Sequence, residues 1–407
     1  MKLLIVCPFF PYPLDVGGKV AIYNNIKQIS RNNDITFLCL LHPQEDKENP
    51  KLLEDICKKV IIVKKTIKPR NPNCFLRIAS RLINYVMRFS PFCMPSLLKY
   101  RYDNELKTAL LFILKEDFDL ICYEFTQSIS CIVKNSSTPQ VLVEYDIMYL
   151  KCWRQMKLIA WTKTFDKLTA FIECLKIRFL ETRAWRKVDH IITMTEIDKD
   201  VVVEVNPSLN VTAIPRGVDT AYYVYDRNEQ NTDDKILFVG SAVNTLNIDA
   251  VKFFLREIWP KVLSQKPSTE FIIIGNGFTD IAAKSYSKNV KLLGFVEDMR
   301  PYLKSSKVFV VPLLNGSGIR MKILEAMSAG CPIVTTSIGR EGINLVDGKD
   351  AFIRDDPEAF ADAILILMDN AGLRNEFSKN AREKIVKNYT WALIGERFNL
   401  LAKSLTA

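Results

Sequence analysis

The densest concentration of residues able to do chemistry is Val308-Phe309-Val310-Val311-Pro312-Leu313-Leu314-Asn315-Gly316-Ser317-Gly318-Ile319-Arg320-Met321-Lys322-Ile323-Leu324-Glu325-Ala326-Met327. A β-branched and aromatic run ends at Pro312, a loop holding Gly316 and Gly318 follows, and helical spacing begins near Ile319. Strand, tight turn and helix in succession are predicted. Such a turn suits an anion. Glycines let backbone approach a phosphate, the first helical amides lack intrahelical acceptors, and the helix dipole adds about 0.3–1 kcal/mol. Arg320 and Lys322 bring full positive charge, and Glu325 lies on the same helix face as Lys322, where a carboxylate can accept bonds from both hydroxyls of a ribose. The same spacing also suits a surface Lys322–Glu325 pair worth about 0.2–0.5 kcal/mol. Glycine turns before helices are common in α/β domains, so the segment alone leaves both readings open.

The elements that must position these residues alternate between short β-type runs and helix-length segments, the pattern of parallel sheets with crossover helices. Strands are expected at Leu3–Cys7, Ile35–Leu41, Val60–Val63, Leu120–Cys122, Val141–Val143, Ile191–Met194 and Val211–Ile214 in the first half. In the second half they are expected at Ile236–Val239, Phe271–Ile274, Val290–Leu293, Val308–Val311 and Ile333–Thr335. A chain of 407 residues holds two cores of ordinary size. The polar run Asp226-Arg227-Asn228-Glu229-Gln230-Asn231-Thr232-Asp233-Asp234 marks a linker between them. The expected division is therefore a Rossmann-like domain at 1–225, a linker at 226–234, a second Rossmann-like domain at 235–387, and a C-terminal helix at 388–407 packing back toward the first domain.

Carboxylates that follow strands are candidates for acid–base work, because strand C-termini face the ligand crevice in such sheets. They are Glu124, Glu144 and Asp146, each of which could instead cap a following helix. His42 leads into Pro43 and a polar loop, and His190 opens a strand; both read as structural or surface residues. Ten cysteines without a Cys-x-x-Cys pair, and only two histidines, suggest neither a zinc site nor a disulfide framework. A reducing cytoplasm is expected, since Pro8, Pro11 and Pro13 interrupt any secretory core and no apolar run approaches membrane-spanning length.

The net charge of +10 clusters in the first half. Between Lys58 and Lys107, basic residues including Arg77, Arg81 and Arg88 interleave with apolar ones, and from Lys151 to Lys187 Trp153, Trp161, Phe165, Phe171, Phe179 and Trp185 alternate with lysines and arginines. Two readings stand side by side: long helices packed by one face with solvated charge outside, or a surface that docks on anionic lipid at the inner membrane face. Nucleic acid is disfavoured, because the charge comes with no recognisable nucleic-acid motif.

The second half resembles glycosyltransferase family four. The matching residues are Phe238-Val239-Gly240-Ser241, Trp259-Pro260, Ile272-Ile273-Ile274-Gly275-Asn276-Gly277, Gly294-Phe295-Val296-Glu297-Asp298, Pro312-Leu313, Gly316 to Met327, Gly330-Cys331-Pro332-Ile333-Val334-Thr335-Thr336 and Tyr389-Thr390-Trp391. The first half matches more thinly, at Pro8 to Gly18 and Ile214-Pro215-Arg216-Gly217-Val218-Asp219, with Arg216 in place of the usual Asn. The resemblance implies an α/β GT-B fold of two facing Rossmann-like domains and a retaining transfer of sugar from a nucleotide-diphosphate donor to an acceptor hydroxyl. The Gly-Ser-Gly-Ile variant of the loop points to bacterial surface or exopolysaccharide synthesis, and the basic, aromatic first half adds a lipid-linked oligosaccharide to a sugar as the expected acceptor.

By that resemblance Glu325 holds the donor ribose, Phe295 and Val296 meet the base, and Ser317, Gly318, Ile319, Arg320 and Lys322 hold the diphosphate, with Gly240, Ser241 and Gly275 completing the donor site. Gly17 and Gly18 form the loop that meets phosphate and acceptor. Two departures stand out. The family's second glutamate, eight positions before Glu325, is Ser317, and its Arg and Lys after the first glycine are replaced within Ala242-Val243-Asn244-Thr245-Leu246-Asn247. Leaving-group charge then falls on Arg320, Lys322 and Arg216, with no metal or other cofactor expected. In the front-face mechanism typical of the family, the departing phosphate oxygen takes the acceptor proton; Asp146 is the preferred acceptor-side carboxylate. The same departures also fit a silent sugar-nucleotide-binding subunit, and the fold would also serve a sugar-nucleotide epimerase.

Overall fold

The computed structural model describes residues 1–14, 17–42, 51–65, 95, 104–133, 137–159, 162, 164–226, 233–278 and 289–407. It divides into two compact units, Met1–Ile214 with Ile394–Ala407, and Pro215–Leu393.

The first unit is built on seven parallel strands: β1 (Lys2–Cys7), β2 (Asp34–Leu41), β3 (Lys59–Lys64), β4 (Leu120–Glu124), β5 (Gln140–Glu144), β6 (His190–Thr193) and β7 (Val211–Ala213), in the order β3-β2-β1-β4-β5-β6-β7. Buried on both faces, such strands need no polar alternation, which is why they read as continuous apolar runs: every residue of β4 and β5 is buried. The order reverses between β1 and β4, and in open α/β sheets the strand C-termini at such a switch are where ligands bind. Helix α1 (Gly17–Ile29) starts there.

Two helices beyond β5, α2 (Met148–Leu158) and α3 (Thr164–Trp185), form a hairpin locked by its own chemistry. The buried Glu181 of α3 accepts from the amides of Met148 at 2.7 Å and Tyr149 at 2.8 Å, satisfying the start of α2. Trp185, fully buried, donates Nε1 to Glu144 at 2.9 Å. The hairpin's outer face leaves Trp153, Phe165, Leu168, Phe171, Leu175 and Phe179 exposed. Arg77, Arg81, Arg88 and Trp161 lie outside the described residues.

The second unit repeats the plan with six parallel strands: β8 (Asp233–Val239), β9 (Glu270–Ile274), β10 (Val290–Gly294), β11 (Ser306–Val311), β12 (Ile333–Thr335) and β13 (Phe352–Ile353), ordered β10-β9-β8-β11-β12-β13. Here the order reverses between β8 and β11. Helices α4 (Thr245–Phe253), α5 (Met321–Ala329), α6 (Pro357–Asp369) and α7 (Ala371–Asn388) accompany the sheet. Phe254, Trp259, Phe271 and Phe360 form its aromatic core, with the Phe254 and Phe271 rings 4.4 Å apart. Every β-run expected from the sequence forms a strand; β13, two residues long, is too short to leave a periodic signal.

The division of the chain differs from the one expected. Residues 215–225 group with the second unit. Val218 N donates to Tyr389 O at 2.7 Å, Arg382 donates to Thr220 O at 3.1 Å and Tyr223 O at 2.9 Å, and Ser328 Oγ donates to Tyr223 O at 2.9 Å. These partners come from far along the chain, so local sequence gives no hint of them. The last helix, α8 (Trp391–Thr406), belongs to the first unit from Ile394 onward, where Asn33 Nδ2 donates to Asn399 Oδ1 at 2.7 Å.

Candidate functional site

In the second unit, three neighbouring strands end in glycines whose backbones interlock. Gly240 N donates to Ile274 O at 2.8 Å and Gly275 N to Gly294 O at 2.7 Å. Gly275 has φ +137°, and a Cβ there would lie 1.9 Å from Gly240 O, so no other residue fits without moving the chain. Ser241 and the following turn lead into α4.

The glycine loop after β11 faces the same strand-order switch. The Gly316 amide donates to Asn315 Oδ1 at 2.7 Å; with φ +144° and no Cβ, Gly316 leaves the space that the Arg320 guanidinium fills. Arg320 folds back on its own loop, Nη1 donating to Ser317 O and, at 3.0 Å, to Gly318 O. Arg320 stands extended at the N-cap position, so α5 begins at Met321 rather than near Ile319; Ile319 is buried and anchors the loop. No side chain caps the start of α5. Ser317 Oγ and Asn315 Nδ2 are buried, at 4% and 3% residue exposure, and make no hydrogen bond among the described residues. Buried polar groups without partners are uncommon and call for a ligand or ordered water.

Lys322 and Glu325 share the inner face of α5, but each takes a different partner. Lys322 Nζ donates to Asn247 Oδ1 at 3.0 Å and lies 4.6 Å from the centroid of the Phe238 ring. Glu325 accepts a hydrogen bond from the Tyr223 hydroxyl. Burial pulls Lys322 down to about 7, helped by the nearby Arg320 charge and opposed by Glu325. Burial likewise pushes Glu325 up to about 7, against the stabilising effects of Tyr223 and Lys322. The Tyr223 hydroxyl is pushed up by burial and by the Glu325 charge. Phe295 follows β10 and is 68% exposed, with Val296 half-buried beside it. Arg300 pairs with Asp298 at 2.8 Å and lies 4.0 Å from the Tyr222 ring centroid.

Sequence reasoning did not single out Asn247 or Tyr223. Asn247 left one signal, its place in the 242–247 stretch that departs from the family pattern. Tyr223 left none, because the segment carrying it is positioned by Arg382 and Ser328. Arg216 is buried and lies in the second unit rather than at the end of the first.

In the first unit, Gly17 and Gly18 open α1 beside the β1–β4 switch, and a Cβ on Gly18 would lie 3.3 Å from Phe125 Cζ. Phe125, with φ +63°, stacks on Tyr145 at 4.1 Å. Glu124 is buried and bonded to the Tyr145 hydroxyl; burial pushes it up to about 7. Glu144 is occupied by Thr126 Oγ1 at 2.5 Å and Trp185, which makes it part of the framework. Asp146 is half-buried just past β5. His190 is buried, 2.9 Å from Thr212 Oγ1, which agrees with a structural role.

Residues 233–370 match the family described as glycosyl transferases group 1. The chain is 25% identical over 405 residues to an uncharacterized 44.6 kDa protein of the cps region of Klebsiella pneumoniae, covering 95% of this chain and 96% of that one. It is 29% identical over 238 residues to the UDP-Gal:alpha-D-GlcNAc-diphosphoundecaprenol alpha-1,3-galactosyltransferase of Escherichia coli, covering 53% of this chain and 60% of that protein. Among solved structures, sucrose-phosphate synthase from Thermosynechococcus elongatus aligns with a TM-score of 0.70 at 14% identity, covering 100% of this chain and 99% of that one.

The interlocked glycines generate a stability prediction. Gly275→Ala forces an L residue to φ +137° against a carbonyl, and the backbone strain alone costs about 1–3 kcal/mol. Urea denaturation should show the second unit destabilised by at least that much; unchanged stability would mean that the strand exits do not interlock as described.

Proposed function

We propose that this chain, a GT-B-fold protein whose second unit matches the glycosyl transferases group 1 family over residues 233–370, moves a sugar from a nucleotide-diphosphate donor to an acceptor hydroxyl with retention of configuration, in the assembly of a bacterial polysaccharide or glycolipid. One observation carries the donor reading. At the strand-order switch of the second unit, an uncapped helix start, two buried polar atoms without partners, an ammonium and a carboxylate converge within 315–325.

The α- and β-phosphates meet the loop amides and the first amides of α5, with Lys322 as the nearest full charge and Arg320 available once it releases Ser317 O and Gly318 O. The ribose hydroxyls replace Tyr223 as donors to Glu325, and the base lies along Phe295 and Val296. As the glycosidic bond lengthens, negative charge grows on the leaving diphosphate, and fixed donors that need no reorganisation lower that barrier. The leaving oxygen takes the acceptor proton on the same face. Side chains and amides supply the positive charge, so the reading includes no metal. Asp146 is assigned as the acceptor-side carboxylate.

The E. coli relative's name specifies a UDP-sugar donor and a diphosphoundecaprenol-linked acceptor, which supports a uridine nucleotide and a lipid-linked acceptor here. The exposed aromatic face of α2 and α3, with Lys151, Arg154 and Lys157 on α2 and Arg178 and Arg183 on α3, supports docking at an anionic inner membrane face. Among the described residues no helix is long and apolar enough to cross a membrane.

Calorimetric titration and thermal shift with UDP, GDP, ADP and their sugar conjugates test the donor site. One nucleoside diphosphate should stabilise the protein, and Glu325→Ala should weaken it at least about tenfold, as loss of a charged hydrogen bond predicts. Binding of none of them would overturn the reading. For the membrane surface, flotation with phosphatidylglycerol vesicles should recover the protein, whereas phosphatidylcholine vesicles or the double variant Phe165→Ser/Phe179→Ser should not; recovery indifferent to lipid charge and to both substitutions would contradict it.

A further inference from the structure

We infer that Asn247 is a positioning residue of the donor site: its carboxamide holds the Lys322 ammonium in place for the donor diphosphate without neutralising it. The inference rests on the donor reading above. The amide is fixed at both ends, its Oδ1 accepting from Lys322 Nζ at 3.0 Å and its Nδ2 donating to Ser241 O at 2.8 Å. Its own backbone N–H bonds to Asn244 O at 3.0 Å in the first turn of α4, and the residue is 8% exposed. Gly240 makes the room, since a Cβ there would lie 2.7 Å from Asn247 Cγ and 2.8 Å from Oδ1. Strand exit, carboxamide and ammonium are thus one packed relay.

The groups around the ammonium divide by charge. Arg320 and Glu325 act on it from its own segment, while the elements packed against it present the neutral Asn247 from α4 and the Phe238 ring from β8. A neutral acceptor orients a cation and leaves its charge for an incoming anion. A carboxylate of the same shape would claim that charge. The proton on Lys322 is held loosely because its site is poorly solvated, which places its loss near neutral pH.

The test compares wild type, Asn247→Asp and Asn247→Ala by calorimetric titration with UDP, GDP, uridine and guanosine at pH 7, 8 and 9, above the last phosphate ionisation of the ligand at about 6. In the wild type, affinity for the binding diphosphate should fall at least tenfold from pH 7 to 9 as Lys322 loses its proton. In Asn247→Asp the new carboxylate keeps Lys322 protonated, so at pH 7 the diphosphate should bind at least tenfold more weakly, the nucleoside unchanged, and the pH dependence should flatten. Asn247→Ala should weaken the diphosphate while keeping the pH dependence. A purely structural Asn would alter nucleoside and diphosphate alike and would not flatten the profile. If both variants keep the wild-type ratio of diphosphate to nucleoside affinity and the wild-type pH profile, the inference is overturned while the donor reading stands. If the wild type binds neither diphosphate, the donor reading fails and the inference falls with it.

Discussion

In the proposed reading a nucleotide diphosphate brings concentrated negative charge to the second unit at the point where the strand order of its parallel sheet reverses. Strand β8 and strand β11 lie side by side there, and the crossovers from each leave in opposite directions. Gly240, Gly275 and Gly316 carry no Cβ where one would collide with the Asn247 amide, Gly240 O or the Arg320 guanidinium, so those groups pack directly against backbone. The neighbouring loop holds two buried polar atoms that make no hydrogen bond among the described residues, and it leads into an uncapped helix start. Lys322 and Glu325 then share one face of α5 because they stand three residues apart in the helix that starts there.

The price of building such a site is visible in its electrostatics. Burial lowers Lys322 and raises Glu325 toward the same value near 7, where neither charge is secure. Their neutral partners, Asn247 and Tyr223, keep each oriented without cancelling it. Arg320 adds a second cation, whose guanidinium donates to the carbonyls of its own loop. An anionic ligand would favour the charged form of Lys322.

Much of this was legible in the sequence for physical reasons. Parallel strands buried on both faces are apolar through their centres, so β4, β5 and β11 stand out as runs, and the glycine loop stands out because Gly316 and Gly318 interrupt helix-forming residues. The two-residue β13 lacked any period. The start of α5 fell two residues late because Arg320 takes an extended cap rather than a helical conformation. The boundary at Ile214 was hidden because the 215–225 segment is held by Arg382 and Ser328, far away in sequence. Glu144 looked like Asp146 from its position after β5, and only the contacts with Thr126 and Trp185 separate a framework carboxylate from a half-buried one.

The most direct test of the account is amide hydrogen exchange on the intact chain with and without the nucleoside diphosphate that binds it. The account predicts that added ligand slows exchange most in 240–247 and 316–325, the two segments that border the strand-order switch of the second unit. Protection confined to the first unit, or spread evenly with no maximum in those segments, would contradict it.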